Sequence, residues 1–205
     1  MNKNTIVISA YPCCGKTYAF ENYQGKFSIL DSDSSKFSWI ERKRTPEELE
    51  EIRKAWDAKP HRLPGVLYIE RIKDEIIKVR NPNFIKDYIT HIKENIGKVD
   101  FIFVSSHLEV RKALNDEGII YVTVYPGNCM LNEWVGRMYR RGSDKKFIDF
   151  QIEHWDEFTK NIVNEPHGIH LFRLGYDEYI DLEKIQYWYK YLMEQQERRE
   201  KYEEK

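Results

Sequence analysis

The run Thr5-Ile6-Val7-Ile8-Ser9-Ala10-Tyr11-Pro12-Cys13-Cys14-Gly15-Lys16-Thr17 joins two unlike pieces. Residues 5–9 are a continuous, β-branched apolar stretch, the pattern of a strand buried on both faces of a parallel sheet. Residues 10–17 fit [Gly/Ala]-x4-Gly-Lys-[Ser/Thr], and a helix is predicted from Lys16 to about Tyr23. A strand, a loop of small residues and a helix start, in that order, aim successive backbone N–H groups at an anion.

The residue types sharpen that chemistry. Lys16 can supply positive charge to the β- and γ-phosphates of a nucleoside triphosphate, and Thr17 can ligate Mg²⁺. Gly15 lets the backbone approach closely. Ala10, Cys13, Cys14 and Tyr18 complete the expected nucleotide-contacting set, with Ala10 standing where the first Gly is usual. Cys13 and Cys14 read first as small residues filling a tight loop. A redox-sensitive pair is the alternative, because a helix N-terminus lowers a thiol pKa.

Outward from the loop, the chain alternates strands and helices. Strands are predicted at 27–30, 100–105, 119–124 and 169–174. Helices are predicted at 82–96, 106–115, 132–141 and 146–163, with a last one from about Asp181. Five strands separated by helices imply an α/β fold with a five-stranded parallel sheet and helices on both faces. Ligands in such sheets bind at the carboxyl ends of the strands. Residues 36–80 differ: they are charged, carry Pro46, Pro60 and Pro64, and read as a mostly helical, substrate-covering insert. Within it Thr45-Pro46-Glu47-Glu48 is a helix start with a capping box, and Tyr68–Val79 is read as another helix. Residues 1–194, the insert included, are read as one domain, and 195–205 as a polar helical end.

Composition excludes several classes. Of 205 residues, 41% are hydrophobic and 33% charged, which fits a globular domain with a charged surface. The net charge of −1 gives no global field toward nucleic acid. No stretch reaches the roughly 20 apolar residues of a membrane span, and the N-terminus lacks the apolar region of a signal peptide. Three cysteines without a CxxC pair argue against a disulfide scaffold and against zinc. A cytoplasmic protein is predicted.

Two further motifs fall at strand ends. Asp31 and Asp33 follow the second strand, and an extended backbone would project both to one side. One could enter a Mg²⁺ shell, and the other could bind an acceptor hydroxyl or act as a base. The third strand ends in Ser105-Ser106-His107 with no carboxylate, which shifts the expected metal support to Asp31 or Asp33; Ser106 reads as a helix N-cap. Arg137, Arg140 and Arg141 stand at i, i+3 and i+4 on one helix face, before Gly142. Arg suits a phosphoryl group through its fork geometry. The segment 128–145 reads as a closing lid, against the plainer alternative of a solvated basic face.

These residues resemble the P-loop small-molecule kinases, above all the nucleoside monophosphate kinases. AYPCCGKT looks like their phosphate loop and RMYRR like their arginine lid. LDSD is similar to the Asp-x-Asp of shikimate-type kinases, and the whole chain looks like small kinases of phages and their bacterial hosts. The resemblance implies a three-layer P-loop NTPase fold with strand order 2-3-1-4-5, ATP and Mg²⁺ as cofactors, and induced closure. It implies phosphate and metal roles for Lys16 and Thr17, metal support from Asp31, and catalytic roles for Lys16, Asp33, Arg137, Arg140 and Arg141. The expected partner is a small phosphate acceptor, foremost a (deoxy)nucleoside monophosphate; Arg42, Lys43, Arg44 and Arg62 could clamp its phosphate, or equally form a solvated charged face. A polynucleotide or modified-base kinase, which would need stacking aromatics along a basic groove, and a non-catalytic nucleotide-binding module stay open. Asn-Lys-x-Asp, the guanine signature, is absent. The oligomeric state is not legible.

Overall fold

The computed structural model describes residues 4–58, 76–164 and 170–203. Contacts divide the chain into two units, Met1–Ser34 with Ile85–Lys205, and Ser35–Phe84.

The first unit is an α/β domain built on five parallel strands. These are β1 (Ile6–Ala10), β2 (Ile29–Asp31), β5 (Phe101–Ser105), β6 (Tyr121–Pro126) and β7 (His170–Leu174). They lie side by side in the order β2-β5-β1-β6-β7, every pairing parallel. Numbered along the whole chain this order differs from the expected 2-3-1-4-5. The reason is that the supposedly helical insert contributes two strands of its own, β3 and β4, described below. The β-branched run behaves as its composition requires: all five residues of β1 are buried.

Both faces of the sheet are covered. Ile6, Ile8 and Ala10 of β1 join the main core with Phe101, Phe103, Val122 and Val124. To this side belong Ala19 of α1 (Lys16–Tyr23), Trp134 and Met138 of α6 (Leu131–Arg140), Ile148 of α7 (Lys145–Glu153), Trp155 and Ile162 of α8 (Trp155–Asn164), and Leu182 and Ile185 of α9 (Leu182–Glu203). The alternate residues Val7, Ser9, Ile102 and Val104 are buried too, outside that cluster. So are Tyr88, Ile89 and Ile92 of α4 (Phe84–Asn95) and Val110 and Leu114 of α5 (Leu108–Asp116). From Gln196 to Arg199 the last helix is exposed, as its polar sequence requires.

Two helix boundaries differ from expectation. The stripe at 146–163 is two helices, α7 and α8, broken at His154. The break coincides with Trp155, whose indole N–H donates to the Asn128 carbonyl at 2.8 Å, while Thr159 Oγ1 donates to Asn128 Oδ1 at 2.9 Å. Those two bonds tie α8 to the short 3-10 turn Asn128–Met130. The N-cap of α5 is His107 rather than Ser106.

The second unit holds α2 (Ser35–Ser38), β3 (Trp39–Lys43), α3 (Pro46–Asp57) and β4 (Ile76–Arg80). β3 and β4 pair antiparallel, Trp39 opposite Arg80 through Lys43 opposite Ile76. This corrects the helical reading of 36–80. Ile76-Ile77-Lys78-Val79-Arg80 alternates exposed with half-buried residues at period two, and its β-branched residues favour a strand once a partner is present. The rest of the expected 68–79 helix, and Arg62, lie outside the described residues. The capping box of α3 forms as read: the Glu48 N–H donates to Thr45 Oγ1, and the Thr45 N–H donates to Glu48 Oε2. Arg42 grips Glu48 through two 2.7 Å bonds, and this pairing holds the Glu48 carboxyl at about 2. Arg42 is thus engaged inside its own unit.

Candidate functional site

Between β1 and α1 the backbone turns twice through left-handed space, at Cys13 (φ 64°) and Gly15 (φ 96°). Gly15 caps α1, whose first turn has neither a side-chain cap nor an acidic residue. Its leading N–H groups therefore keep their uncompensated positive character. The loop's carbonyls are held from the other side. Pro12 O accepts from Trp134 Nε1 at 2.9 Å, Cys13 O from Arg137 Nη1 at 3.4 Å, and Cys14 O from the Ile180 N–H at 3.0 Å. In a trans peptide the following N–H points opposite to its carbonyl. Among the described residues, the N–H groups of Cys13 and Gly15 have no backbone partner.

A cavity of about 650 Å³ opens on this loop. Cys13, Gly15, Lys16, Thr17 and Tyr18 line it from the loop and from α1. Asp31 and Asp33 line it from the end of β2, and Arg137, Arg140 and Arg141 from the end of α6. Of the residues expected at the site, two lie elsewhere. Ala10 is buried in β1 opposite Ser105 and Val124, and Cys14 is fully buried with its Sγ 3.5 Å from Val124 O. Both shape the loop from beneath without reaching the cavity.

The two aspartates sit as an extended backbone places them. The Ser32 N–H continues the ladder to Phe103 O at 2.9 Å, and the Ser32 side chain turns inward. Asp31 and Asp33, one residue to either side, are exposed. Lys16 Nζ lies 3.2 Å from Asp31 Oδ1. The strand end is braced by Tyr88, whose hydroxyl donates to Ser32 O at 2.6 Å and accepts from the Ser105 N–H at 3.1 Å.

The arginines share a helix face by spacing but not by environment. Arg137 is buried, and α6 is anchored on the core by the fully buried Trp134 and Met138. Arg137 is therefore part of the fixed floor, which corrects its expected place on a moving cover. Its Nε donates to Glu133 Oε1 at 2.9 Å, and its Nη1 donates to Glu178 O at 2.9 Å. Its guanidinium carbon lies 4.1 Å from the Trp134 ring centroid and 4.4 Å from that of Tyr179. Nη2 is buried with no hydrogen-bond partner. A cationic N–H buried without a partner is costly, so an anion at this spot relieves a real penalty. Arg140 and Arg141 are exposed; the first stands 3.5 Å from Glu133 Oε1 and the second 3.9 Å from Cys13 Sγ.

Sequence reasoning missed Tyr179. Its ring stacks on Tyr18 with centroids 4.9 Å apart and 24° between planes. It covers Gly15 so closely that a Cβ there would fall 2.8 Å from Tyr179 Cδ1. Nothing in Gly175-Tyr176-Asp177-Glu178-Tyr179 has a spacing that announces this. Glu133 was findable, since it stands four residues before Arg137 on the same helix.

Burial raises the pKa of both loop thiols; for Cys13 the nearby Arg141 opposes that rise without overturning it. In both, burial outweighs the lowering by the arginines, which disfavours the thiolate a redox pair needs. Among the described residues no three His, Cys, Asp or Glu side chains gather as a metal cage. Thr17 and Asp31 nevertheless line the same cavity. Mg²⁺ suits such sparse protein ligation, because it retains waters and takes phosphate oxygens. No described helix is long and apolar enough to cross a membrane. The chain matches no protein-family model, and no curated protein matches it significantly in sequence.

Proposed function

We propose that residues 10–17 form a phosphate-binding loop for a nucleoside triphosphate, and that the chain is a Mg²⁺-dependent kinase of a small acceptor, foremost a (deoxy)nucleoside monophosphate. The observation that carries this is buried Arg137, whose Nη2 has no hydrogen-bond partner and which lines the same cavity as Lys16, Thr17, Asp31 and Asp33. The donor set fits the ligand: a lysine, a helix N-terminus without its own acid, and an arginine with a spare N–H are the groups that hold phosphate oxygens. The P-loop NTPase reading of the α/β sheet belongs to the same proposal.

Each residue then has a role in the chain's own chemistry. Lys16 would leave Asp31 for the β- and γ-phosphates, and Thr17 and the freed Asp31 carboxylate would hold Mg²⁺. Mg²⁺, when bound, supplies neutralisation of phosphate charge. Asp33, the second exposed carboxylate, can orient the acceptor, and takes a proton only where the attacking group is a hydroxyl, since a monophosphate oxygen attacks already ionised. Arg140 and Arg141 lie on flexible stems at the cavity rim and can close on the transferring group, as Arg137 steadies it from below.

The test is ATP titration by calorimetry, followed by coupled ADP release across nucleoside monophosphates, small polyols and DNA ends. Acceptor-dependent turnover above basal hydrolysis is expected, and Lys16→Ala should abolish it. ATP binding with no responsive acceptor would leave only a nucleotide-binding module. Undiminished ATP affinity in Lys16→Ala would sink the loop assignment itself.

A further inference from the structure

The last helix, α9, leaves aromatic surface outside the core. Leu182 and Ile185 bury one side of it. Tyr187, Trp188 and Tyr191 are nevertheless 66%, 37% and 45% exposed. They form one patch: the Trp188 ring stands edge-on to both tyrosines, with centroids 5.8 Å apart in each pair. Three large rings gathered in solvent mark a surface that another surface covers.

The residues around the patch follow a pattern of their own. Asp181, Lys184, Trp188, Tyr191, Gln195 and Arg198 recur at alternating steps of three and four, which sets them on a single seam along the helix. Gln195 is half-buried and the other five are exposed. Asp181 caps the helix: its Oδ1 accepts the Lys184 N–H at 3.0 Å and the Tyr23 hydroxyl at 3.0 Å. Those bonds fix a carboxylate at one end of the seam, and Arg198 carries a guanidinium at the other.

The seam is its own complement when reversed. Laid antiparallel on a second copy, with the two-fold axis passing between Tyr189 and Lys190, it sets Trp188 opposite Tyr191, Lys184 opposite Gln195 and Asp181 opposite Arg198, each contact occurring twice. Rings then meet at the centre, and opposite charges meet at both ends. Other arrangements lose this. A parallel pair sets Asp181, Lys184 and Arg198 each against its own like charge. Sliding the antiparallel pair by seven residues puts Asp181 opposite Tyr191, or Trp188 opposite Arg198, and breaks both ion pairs. We propose that α9 is a dimerisation helix, and that the partner covering the aromatic patch is a second copy of this chain, packed antiparallel along this seam. The inference does not depend on the phosphate-loop reading. A contact through one helix seam is small, so the dimer dissociates at about 1–100 µM rather than at nanomolar concentration.

Sedimentation velocity on the full chain, at concentrations spanning that range, should show monomer passing into dimer. Arg198→Glu, at an exposed site, sets like charges at both ends of the seam and should weaken the dimer about tenfold. Asp181→Lys should do the same for the mirrored reason. Mixed together, the two variants place opposite charges at both ends again, so a heterodimer should form with near-parental affinity while each variant alone stays largely monomeric. Because Asp181 also caps α9, circular dichroism checks that each variant is folded. Should Asp181→Lys unfold, Tyr191→Ser carries the test: it removes a ring that the symmetric interface uses twice, and should weaken the dimer about tenfold or more. The proposal is overturned if the full chain stays monomeric throughout, or if Arg198→Glu or Tyr191→Ser leaves the dimer intact. It is equally overturned if the folded charge variants fail to pair when mixed, because the antiparallel register is then wrong.

Discussion

Replacing Arg137 by Met separates what this side chain does for folding from what it does for a ligand. Methionine keeps the length, and its thioether can still pack between Trp134 and Tyr179. What disappears is charge and hydrogen bonding. Glu133 is only 12% exposed and loses its 2.9 Å partner. Stripping one member from a buried pair costs about 3–5 kcal/mol. Arg140, 3.5 Å from the same Glu133 oxygen and itself well exposed, recovers part of that. Glu178 O also loses its donor, at about 1 kcal/mol. The sum is about 3 kcal/mol, which for a domain of this size lowers Tm by about 6–12 °C. The double variant Glu133→Leu/Arg137→Met removes both charges, and apolar replacement of a whole buried pair is near neutral. It should regain most of the lost Tm.

Ligand binding should follow a different pattern. A charge-assisted bond from Nη2 to a phosphate oxygen is worth about 1.5–3 kcal/mol, or roughly 10- to 100-fold in affinity. Both variants should show that loss in an ATP titration, the stable double variant no less than the single. Differential scanning calorimetry and isothermal titration on the same samples make the comparison. If the double variant is stable and binds ATP like the parent protein, the unpartnered Nη2 is not a phosphate donor, and the observation that carries the functional reading fails.

Gly15→Ala should cost about 1–3 kcal/mol in urea unfolding, because φ of 96° strains any Cβ and this one would meet Tyr179 Cδ1 at 2.8 Å. Adding Tyr179→Ala should relieve the clash and leave the backbone strain, a partial rescue. Thiol labelling at pH 7.5 should modify exposed Cys129 first, Cys13 slowly and Cys14 only after unfolding, since burial raises both loop thiols; rapid labelling of Cys13 would restore the redox reading. Tyr88→Phe should destabilise at pH 7 by about 1–3 kcal/mol, as Ser32 O and the Ser105 N–H lose their shared partner. Burial pushes the Tyr88 hydroxyl up to about 12 from an ordinary 10. Its neutral form therefore contributes stability that is complete below pH 10 and lost as pH climbs through about 12, so the variant's deficit should narrow across that window.

The parts of this structure that could be read in the sequence are those whose physics is local. β1 announces itself because five β-branched or small residues in a row suit a strand covered on both faces. The loop announces itself because Gly15, Lys16 and Thr17 must stand in that order at a helix start. Gly142 ends α6 in the left-handed conformation that glycine tolerates, with its N–H on Tyr139 O at 2.9 Å. The β3–β4 pair escaped notice because each strand is only five residues long with charged residues interleaved, and only its partner, some forty residues away, makes either one a strand.

The arginines show where a spacing rule ends. Positions i, i+3 and i+4 give a shared face, but depth is set by what packs against that face. Trp134 and Met138 draw one side of α6 into the core, so Arg137 beside them is buried while Arg140 and Arg141 remain in solvent. Gln151 carries the same lesson further. In the sequence it is one member of an apolar stripe at 147/148, 151/152, 155, 158 and 162. Its partner is Tyr11, 140 residues earlier, whose hydroxyl donates to the amide oxygen. No pattern along α7 encodes that bond. It arises only when the loop after β1 packs against α7, and that packing gives a buried polar residue in a helix stripe its hydrogen-bond partner.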